Sequence, residues 1–346
     1  MRKAKTALIT GITGQDGAYL AAHLLRQGWA VFGGFRRGSS STTWRLDQLG
    51  ITRELQLIEC QITELQNIIQ VVQEIQPDLI FHLAGESFVA DSFKYPIVTL
   101  DVNTNGVINL LEAVRLVSPK SKVFFASSSE VFGSGSVNGI NEDSVYLPRN
   151  PYAISKVAAL NFVRLYRDRY GLFVCSGFLF NHESSLRSRS FVTRKITFNL
   201  ARLRAKGGRP IELGSLDAER DWGSAQDYVQ GMHLMLQLNE PTDLILATGK
   251  LTSVREFLKI AASSAGFDPV FEGKGVSELC VDKPSGSVLS KVSEKYFRHG
   301  DTPSLLGDSS RIQGLTGWRA QQTIVNLIDD MVSSDMSRWR LGNTNV

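Results

Sequence analysis

The sequence predicts an α/β protein: a doubly wound parallel sheet carrying a smaller mixed α/β lobe. Three observations predict it. A short apolar run at 6–10, TALIT, breaks into the turn Gly11-Ile12-Thr13-Gly14-Gln15-Asp16-Gly17 and then into AYLAAHLLRQG, which is apolar at helical spacing. Apolar runs and helical patterns then alternate through about residue 180, which calls for parallel strands joined by helical crossovers. The chain has 346 residues, more than the ~100–200 of a typical single domain. Residues 1–180 with 217–250 are expected to form the larger, discontinuous domain, and 181–216 with 251–335 the lobe.

Strand, glycine-rich turn and helix in that order make a Rossmann-type, dinucleotide-binding domain the reading for the larger part. Gly11 and Gly14 let the backbone turn tightly and approach a pyrophosphate, and Gly17 lets the helix lie close on the sheet. The helix start offers N–H groups and partial positive charge to the same anion. The cofactor-binding stretch is thus Gly11, Thr13, Gly14, Gln15, Asp16 and Gly17. The second strand, 30–35, ends in Arg36-Arg37 where an NAD-preferring site usually carries an acidic residue. An arginine suits the 2′-phosphate of NADP, so NADP is the expected cofactor.

Composition narrows the rest. Net charge is +4, without the lysine-arginine block of a nucleic-acid arm. A modest positive balance suits an anionic small substrate, and no nucleic-acid partner is expected. The three cysteines, Cys60, Cys175 and Cys280, are scattered, which fits neither a disulfide framework nor a metal cluster. No metal is expected, and the location is expected to be cytoplasmic. No apolar stretch approaches the ~20 residues of a membrane span, and MRKAKTALITG runs into glycines too early for a signal peptide.

Further along, 55–60 and 78–85 read as strands, 68–75 and 101–117 as helices, and KVFFASSS as the fifth strand. Gly85-Glu86-Ser87 should open near the nicotinamide end, with Ser87 at the substrate. Alternation along the fifth strand sends Ser128 and Glu130 to one face. Ligands in such sheets bind beyond the carboxyl ends of the strands, where these residues lie. Asn150-Pro151 starts a helix, Asn as cap and Pro at the first position. Tyr152 and Lys156 are then one turn apart on a shared face. A free phenol titrates near 10, too high for a base at neutral pH, and a nearby ammonium favours the phenolate. Lys156 can supply that charge while holding ribose hydroxyls, and Ser128 can bond the hydroxyl that Tyr152 deprotonates. Residues 244–248 read as a returning strand, 253–265 and 323–331 as helices, 266–320 as irregular, and the tail from 337 as polar enough to fray.

This combination resembles the extended short-chain dehydrogenase/reductases. The second half is similar to the GDP-mannose 4,6-dehydratase family, through GFLFNHESSLRSRSFVTRKI at 177–196 and LGSLDAERDWGSAQDYV at 213–229. GITGQDGAYL, RRGSSS and SVREF add to the likeness, which runs from about residue 6 to about 330. The resemblance implies oxidation of a GDP-sugar at C4 by NADP, loss of water across C5 and C6, and hydride return to C6. It implies Tyr152 as the C4-hydroxyl base, Ser128 and Lys156 assisting, and Glu130 as the acid–base for water loss. It implies Asn181, Lys195, Arg220 and Arg298 as partners of the diphosphate and base. It also implies a homodimer or homotetramer, in which the 38–43 loop could touch a neighbour's cofactor site.

The sequence departs from the family pattern in four places. Gln61 stands where an aspartate usually meets the adenine, and Ser128 replaces a threonine. Ser185-Leu186 replaces Pro-Arg, and Arg298-His299-Gly300-Asp301 replaces Arg-Pro-Thr-Glu. The last two leave another GDP-sugar, such as a GDP-heptose, open as substrate. A GDP-4-keto-sugar reductase or a 4-epimerase stays open on the same fold, as does a non-catalytic dinucleotide-binding regulator. Glu130 argues against the first two, and the full set of Ser128, Glu130, Tyr152 and Lys156 against the third.

Overall fold

The computed structural model describes residues 5–38, 43–133, 139–296 and 304–343. β1 (Thr6–Thr10) leads to α1 (Gln15–Arg26), β2 (Ala30–Phe35), α2 (Trp44–Gln48), β3 (Gln56–Glu59), α3 (Leu65–Ile75) and β4 (Leu79–His82). α4 (Val89–Lys94) and α5 (Pro96–Leu100) follow, and a π-helical turn, Asp101–Asn105, carries α5 into α6 (Gly106–Val117). Next come β5 (Lys122–Ser128), α7 (Pro151–Tyr170), β6 (Val174–Leu179), β7 (Asn181–Glu183), α8 (Val192–Lys206), β8 (Ile211–Leu213) and β9 (Glu219–Ser224). α9 (Ala225–Met235), β10 (Asp243–Leu246), β11 (Leu251–Ser253), α10 (Val254–Ser264), β12 (Pro269–Glu272), β13 (Leu279–Asp282), β14 (Val288–Val292), α11 (Ser310–Thr316) and α12 (Ile324–Leu341) complete the chain.

The chain divides into two compact units: Met1–Phe180 with Ala225–Ala247 and Gly307–Arg319, and Asn181–Ser224 with Thr248–Leu306 and Ala320–Val346. Three segments, 217–224, 248–250 and 307–319, fall elsewhere than the sequence placed them. Residues 219–224 form β9, which pairs with β7 and β11 in the second unit. Residues 307–319 join the first unit, where Gly307 bridges to Ile140 and Trp318 packs edge-on against Tyr228.

The first unit is built on a seven-stranded sheet in the order β10-β6-β5-β4-β1-β2-β3, with every pair parallel. Strands buried on both faces need continuous apolar runs, and ALI, LIFH and VFF supply them. The order reverses between β1 and β4, so their carboxyl ends flank the crevice where such sheets take ligands. The cofactor turn and Gly85 both sit at that crevice. A side chain on Gly11, whose φ is +74°, would stand 2.8 Å from the Ala84 nitrogen.

The second unit holds a three-stranded sheet, β11-β9-β7, and a four-stranded sheet, β12-β13-β14-β8, both of mixed direction. Its apolar core gathers Ile196, Leu200, Trp222, Phe257, Leu327 and Met331. Residues 266–320, expected to be irregular, contain β12, β13, β14 and α11. These strands are four or five residues long, and β14 pairs with β8 far back in the chain, so local periodicity carries little signal. The tail expected to fray is the end of α12. Arg338 there is buried and donates to Asp335 at 2.9 Å, and the half-buried Trp339 donates from Nε1 to the Phe198 carbonyl at 3.2 Å, while Ser337 and Arg340 face outward.

Among the described residues no helix is long and apolar enough to cross a membrane. The three cysteines are free and buried, and burial pushes their thiols up to about 12, 11 and 12. Most of the 38–43 loop lies outside the described residues.

Candidate active site

Ser128 is the last residue of β5 and caps the 3-10 turn Ser129–Phe132, its Oγ accepting from the Glu130 N–H at 3.3 Å. That turn takes Glu130 off the strand. The expectation that Glu130 leaves β5 on the face of Ser128 by strand alternation is therefore corrected. The Ser128 hydroxyl captures the amide two residues on, and alternation ends there. The Glu130 carboxylate is held another way: its Oε2 accepts from Asn150 Nδ2 at 3.0 Å.

Asn150 also begins α7. Its Oδ1 accepts from the Ala153 N–H at 2.8 Å, with Pro151 at the first helical position. Tyr152, Lys156, Ala159, Val163 and Tyr166 form the buried stripe of this helix. A lysine in such a stripe needs a partner. Lys156 Nζ donates to the Ala126 carbonyl at 2.8 Å and lies 5.9 Å from the centre of the Tyr152 ring. Burial pulls the ammonium down from 10.5 to about 8. Below it His82, held at Nδ1 by Thr10 Oγ1 at 3.0 Å, is pushed down to about 3 by burial and by the Lys156 charge. Both causes favour the neutral imidazole. The structure thus gathers Ser128, Glu130, Tyr152 and Lys156 within one framework of β5, its following turn and the first turns of α7.

The glycine-rich turn is shaped as a cradle. Gly14, the cap residue of α1, has no side chain to occupy the first-turn N–H groups. A β-carbon on Gly17 would stand 2.7 Å from Ile12 Cα. Arg45 fixes the turn from α2, donating to the Thr13 carbonyl at 2.8 Å. Gln15 is buried and donates to Asp16 at 3.0 Å. Beyond β2 the two arginines part. Arg37 gives Glu59 bonds of 2.7 Å from both Nε and Nη2, whereas Arg36 makes a longer, exposed pair with Glu86 at 3.5 Å. Gln61 donates its backbone N–H to Asn67 at 2.7 Å, just past β3. Ser87 is exposed in the loop after β4, and Gly85 two residues before it brings backbone close to Lys156: a β-carbon there would sit 3.6 Å from Nζ.

In the second unit, Asn181 opens β7 opposite Trp222 of β9, and Arg220 lies two residues before Trp222. Trp222 itself packs against Phe257 in the core. Lys195, on α8, stands over the Tyr296 ring at 3.9 Å, and burial lowers its ammonium. It lines a concavity of about 710 Å³ with Asn199, Arg202, Arg209, Lys291 and Tyr296. Arg298 lies outside the described residues.

Residues 8–331 match the family model described as GDP-mannose 4,6 dehydratase. The chain belongs to the GDP-mannose 4,6-dehydratase family. The GDP-mannose 4,6-dehydratase of Yersinia enterocolitica is 39% identical over 351 residues, spanning 96% of this chain and 94% of that relative. Among solved structures, the dTDP-glucose 4,6-dehydratase DesIV of Streptomyces venezuelae, with NAD bound, aligns with a TM-score of 0.81 at 22% identity, over 98% of this chain and 97% of its own. RMD from Pseudomonas aeruginosa complexed with NADPH aligns at 0.78 and 23%, over 97% of this chain and all of its own. At these identities the two structures speak for the shared fold.

Two partners in this GDP-mannose 4,6-dehydratase family member were missed from sequence. Asn150 reads there only as a helix cap, because its contact with Glu130 spans 20 residues. Arg45 lies beyond a polar loop, and nothing in WRLDQ points back to Thr13.

Proposed function

We propose that the chain catalyses NADP-dependent dehydration of GDP-D-mannose to GDP-4-keto-6-deoxy-D-mannose. The observation that carries the reading is Glu130, a carboxylate held by Asn150 directly beyond Ser128 and beside the helix of Tyr152 and Lys156. Oxidation at C4 alone has no use for that carboxylate, whereas water loss requires an acid–base group. The curated relatives that carry the name GDP-mannose 4,6-dehydratase support the same substrate.

The residues present fit the dinucleotide. Gly11, Thr13, Gly14, Gln15, Asp16 and Gly17 would hold the pyrophosphate at the start of α1, Gln61 the adenine, and Tyr152 with Lys156 the nicotinamide ribose. Arg36 would meet the 2′-phosphate, since Arg37 is committed to Glu59. A nicotinamide held by these residues would supply hydride acceptance at C4 and hydride return to C6.

The chain's own residues do the rest. Tyr152 removes the proton from the C4 hydroxyl, the Lys156 ammonium favours its phenolate, and Ser128 hydrogen-bonds the same oxygen. The C4 ketone acidifies C5. Glu130 then takes the C5 proton and protonates the departing C6 hydroxyl, so that water leaves and the C5–C6 double bond forms. As C6 receives hydride, Glu130 delivers to C5 a proton taken up from solvent, which balances the C4-hydroxyl proton that Tyr152 releases. Ser87 is assigned to the sugar, and Asn181, Lys195, Arg220 and Arg298 to the nucleotide diphosphate. Arginine suits the diphosphate as a bidentate donor. A homodimer or homotetramer is proposed to form through exposed apolar residues: Ile97, Val98 and Leu100 of α5, and Ile154 and Leu165 of α7.

The test is incubation of purified protein with GDP-mannose and no added NADP(H). A 4-keto-6-deoxy product is expected. Stoichiometric NADPH consumption on a keto-sugar without dehydration would overturn the reading in favour of a reductase.

A further inference from the structure

Glu130 and the helix of Tyr152 share one side chain, that of Asn150. It is 8% exposed, and both ends of its carboxamide are engaged. Oδ1 accepts from the Ala153 N–H at 2.8 Å, and Nδ2 donates to Glu130 Oε2 at 3.0 Å. These bonds fix each other. A cap must present an acceptor to the first turn, so the amide oxygen faces the helix and the NH₂ group must face away from it. The group it faces is the carboxylate of Glu130, whose backbone is already pinned by Ser128.

We infer that Asn150 is a positioning residue for water loss: it sets the Glu130 carboxylate relative to the helix that carries Tyr152 and Lys156. This rests on the dehydratase reading above. Capping alone does not explain the choice of residue. Serine and aspartate cap a helix about as well as asparagine, but neither donates to a carboxylate as the amide does. Serine is too short to span both partners, and aspartate would set a second carboxylate against the first. A serine hydroxyl can also accept and donate, but from a shorter side chain; of the caps that reach as far as asparagine, ionised aspartate has no donor and asparagine has one. The bond engages one carboxylate oxygen, Oε2, and leaves Oε1 to meet C5 and the C6 hydroxyl. Mispositioning by even ~1 Å costs on the order of a hundredfold in rate.

The experiment separates capping from positioning. Asn150→Asp keeps an acceptor at the cap and has no donor for Glu130, and Asn150→Ser keeps the acceptor on a side chain one atom shorter, which draws its hydroxyl back from Glu130. Each is purified with its nucleotide and mixed with GDP-mannose. The quenched nucleotide-sugar pool is read by mass spectrometry for 4-keto sugar that has and has not lost water, and melting temperature is measured alongside. The inference expects melting close to the parent, C4 oxidation within a few-fold, and water loss slowed roughly tenfold or more, so that 4-keto sugar retaining its C6 hydroxyl accumulates. A purely structural cap predicts no such partition. Because serine and aspartate cap about as well, melting temperature, C4 oxidation and water loss would then all stay near the parent, or fall together where the cap is weakened, since Tyr152 and Lys156 ride on the same helix; either result overturns the inference. Should the serine variant not fold, the aspartate variant gives the same partition. Glu130→Gln serves as control. If it blocks water loss while both Asn150 variants dehydrate at the parent rate, the inference fails and the functional reading stands. If Glu130→Gln dehydrates normally, the reading and the inference fall together.

Discussion

Lys156→Met is expected to give a more stable protein that does not turn over. The side chain is 6% exposed, and desolvation pulls the ammonium from 10.5 to about 8. A lysine that titrates lower in the folded than in the unfolded chain costs stability when charged. That penalty is absent above about pH 10.5, grows as pH falls towards about 8, and is fully present below it. At 1.36 kcal/mol per pH unit, the fall from 10.5 to about 8 corresponds to about 3 kcal/mol near neutral pH. Methionine matches the length without the charge but leaves the Ala126 carbonyl without its 2.8 Å donor, a loss of about 1 kcal/mol. The balance is a gain of about 2 kcal/mol near neutral pH that shrinks to roughly nothing near pH 9.5. Urea unfolding of nucleotide-free protein at the two pH values reads this difference directly, without the contribution of bound nucleotide. Turnover on GDP-mannose, read in parallel, should be lost, since the phenolate of Tyr152 has lost its cation. The wild-type rate should for the same reason decline as pH rises through about 8. Equal destabilisation by Lys156→Met at both pH values would refute the argument, because it would mean that the ammonium is a net structural support.

Three further perturbations separate other parts of the molecule. Arg36→Ala should weaken NADP binding roughly tenfold or more and leave NAD binding nearly unchanged, whereas Arg37→Ala should barely affect either; isothermal titration with both dinucleotides checks the pair. Asp335→Asn should destabilise the second unit by about 3–5 kcal/mol, because it strips the carboxylate from Arg194 and Arg338; chemical unfolding monitored at Trp222 and Trp339 measures it. Ile97→Asp combined with Leu165→Asp should shift the protein to monomer in light scattering after gel filtration, with little change in melting temperature, since both side chains are more than half exposed in the protomer.

The parts of this structure that were legible in sequence are those made by neighbours along the chain. The turn after β1 announced itself through three glycines, and α7 through Asn150-Pro151 as cap and first residue. Lys156 one turn from Tyr152 on a shared face was itself a functional signal, since an ammonium beside a phenol favours the phenolate. What could not be read depends on side chains meeting across the chain. The turn that removes Glu130 from β5 exists because a hydroxyl competes with the strand for one N–H. The polar end of α12 looked like a tail because Asp335 and Arg338 find their partners, Arg194, Thr197 and the Ser185 carbonyl, more than a hundred residues earlier. The same loop carries Ser185-Leu186, one of the departures from the family pattern, and its backbone is tied down by Arg194 from both the Ser185 and Arg187 carbonyls. A hydrogen-bonded backbone there makes the loop's shape independent of the basic side chain the family usually carries.

The two halves of the proposed chemistry are held by different kinds of partner, and the difference has a physical rationale. Tyr152 must be drawn towards its phenolate, and for that a cation is the effective neighbour; Lys156 supplies it at the cost of burial. Glu130 has the harder task of accepting a proton from C5 and then giving one to the C6 hydroxyl. A cation bound to that carboxylate would favour its ionised form and oppose the second transfer. The amide of Asn150 is neutral and donates to one oxygen, which remains an acceptor whether or not the other carries the proton. It can therefore hold the carboxyl group in place through both transfers without strongly opposing either. Replacing the amide by a longer, cationic side chain, as in Asn150→Lys, also removes the helix cap, so C4 oxidation is measured alongside; relative to it, proton removal from C5 should be preserved and loss of the hydroxyl slowed. Solvent deuterium would enter C5 of recovered GDP-mannose faster than product forms, and the absence of that exchange would count against the division of roles.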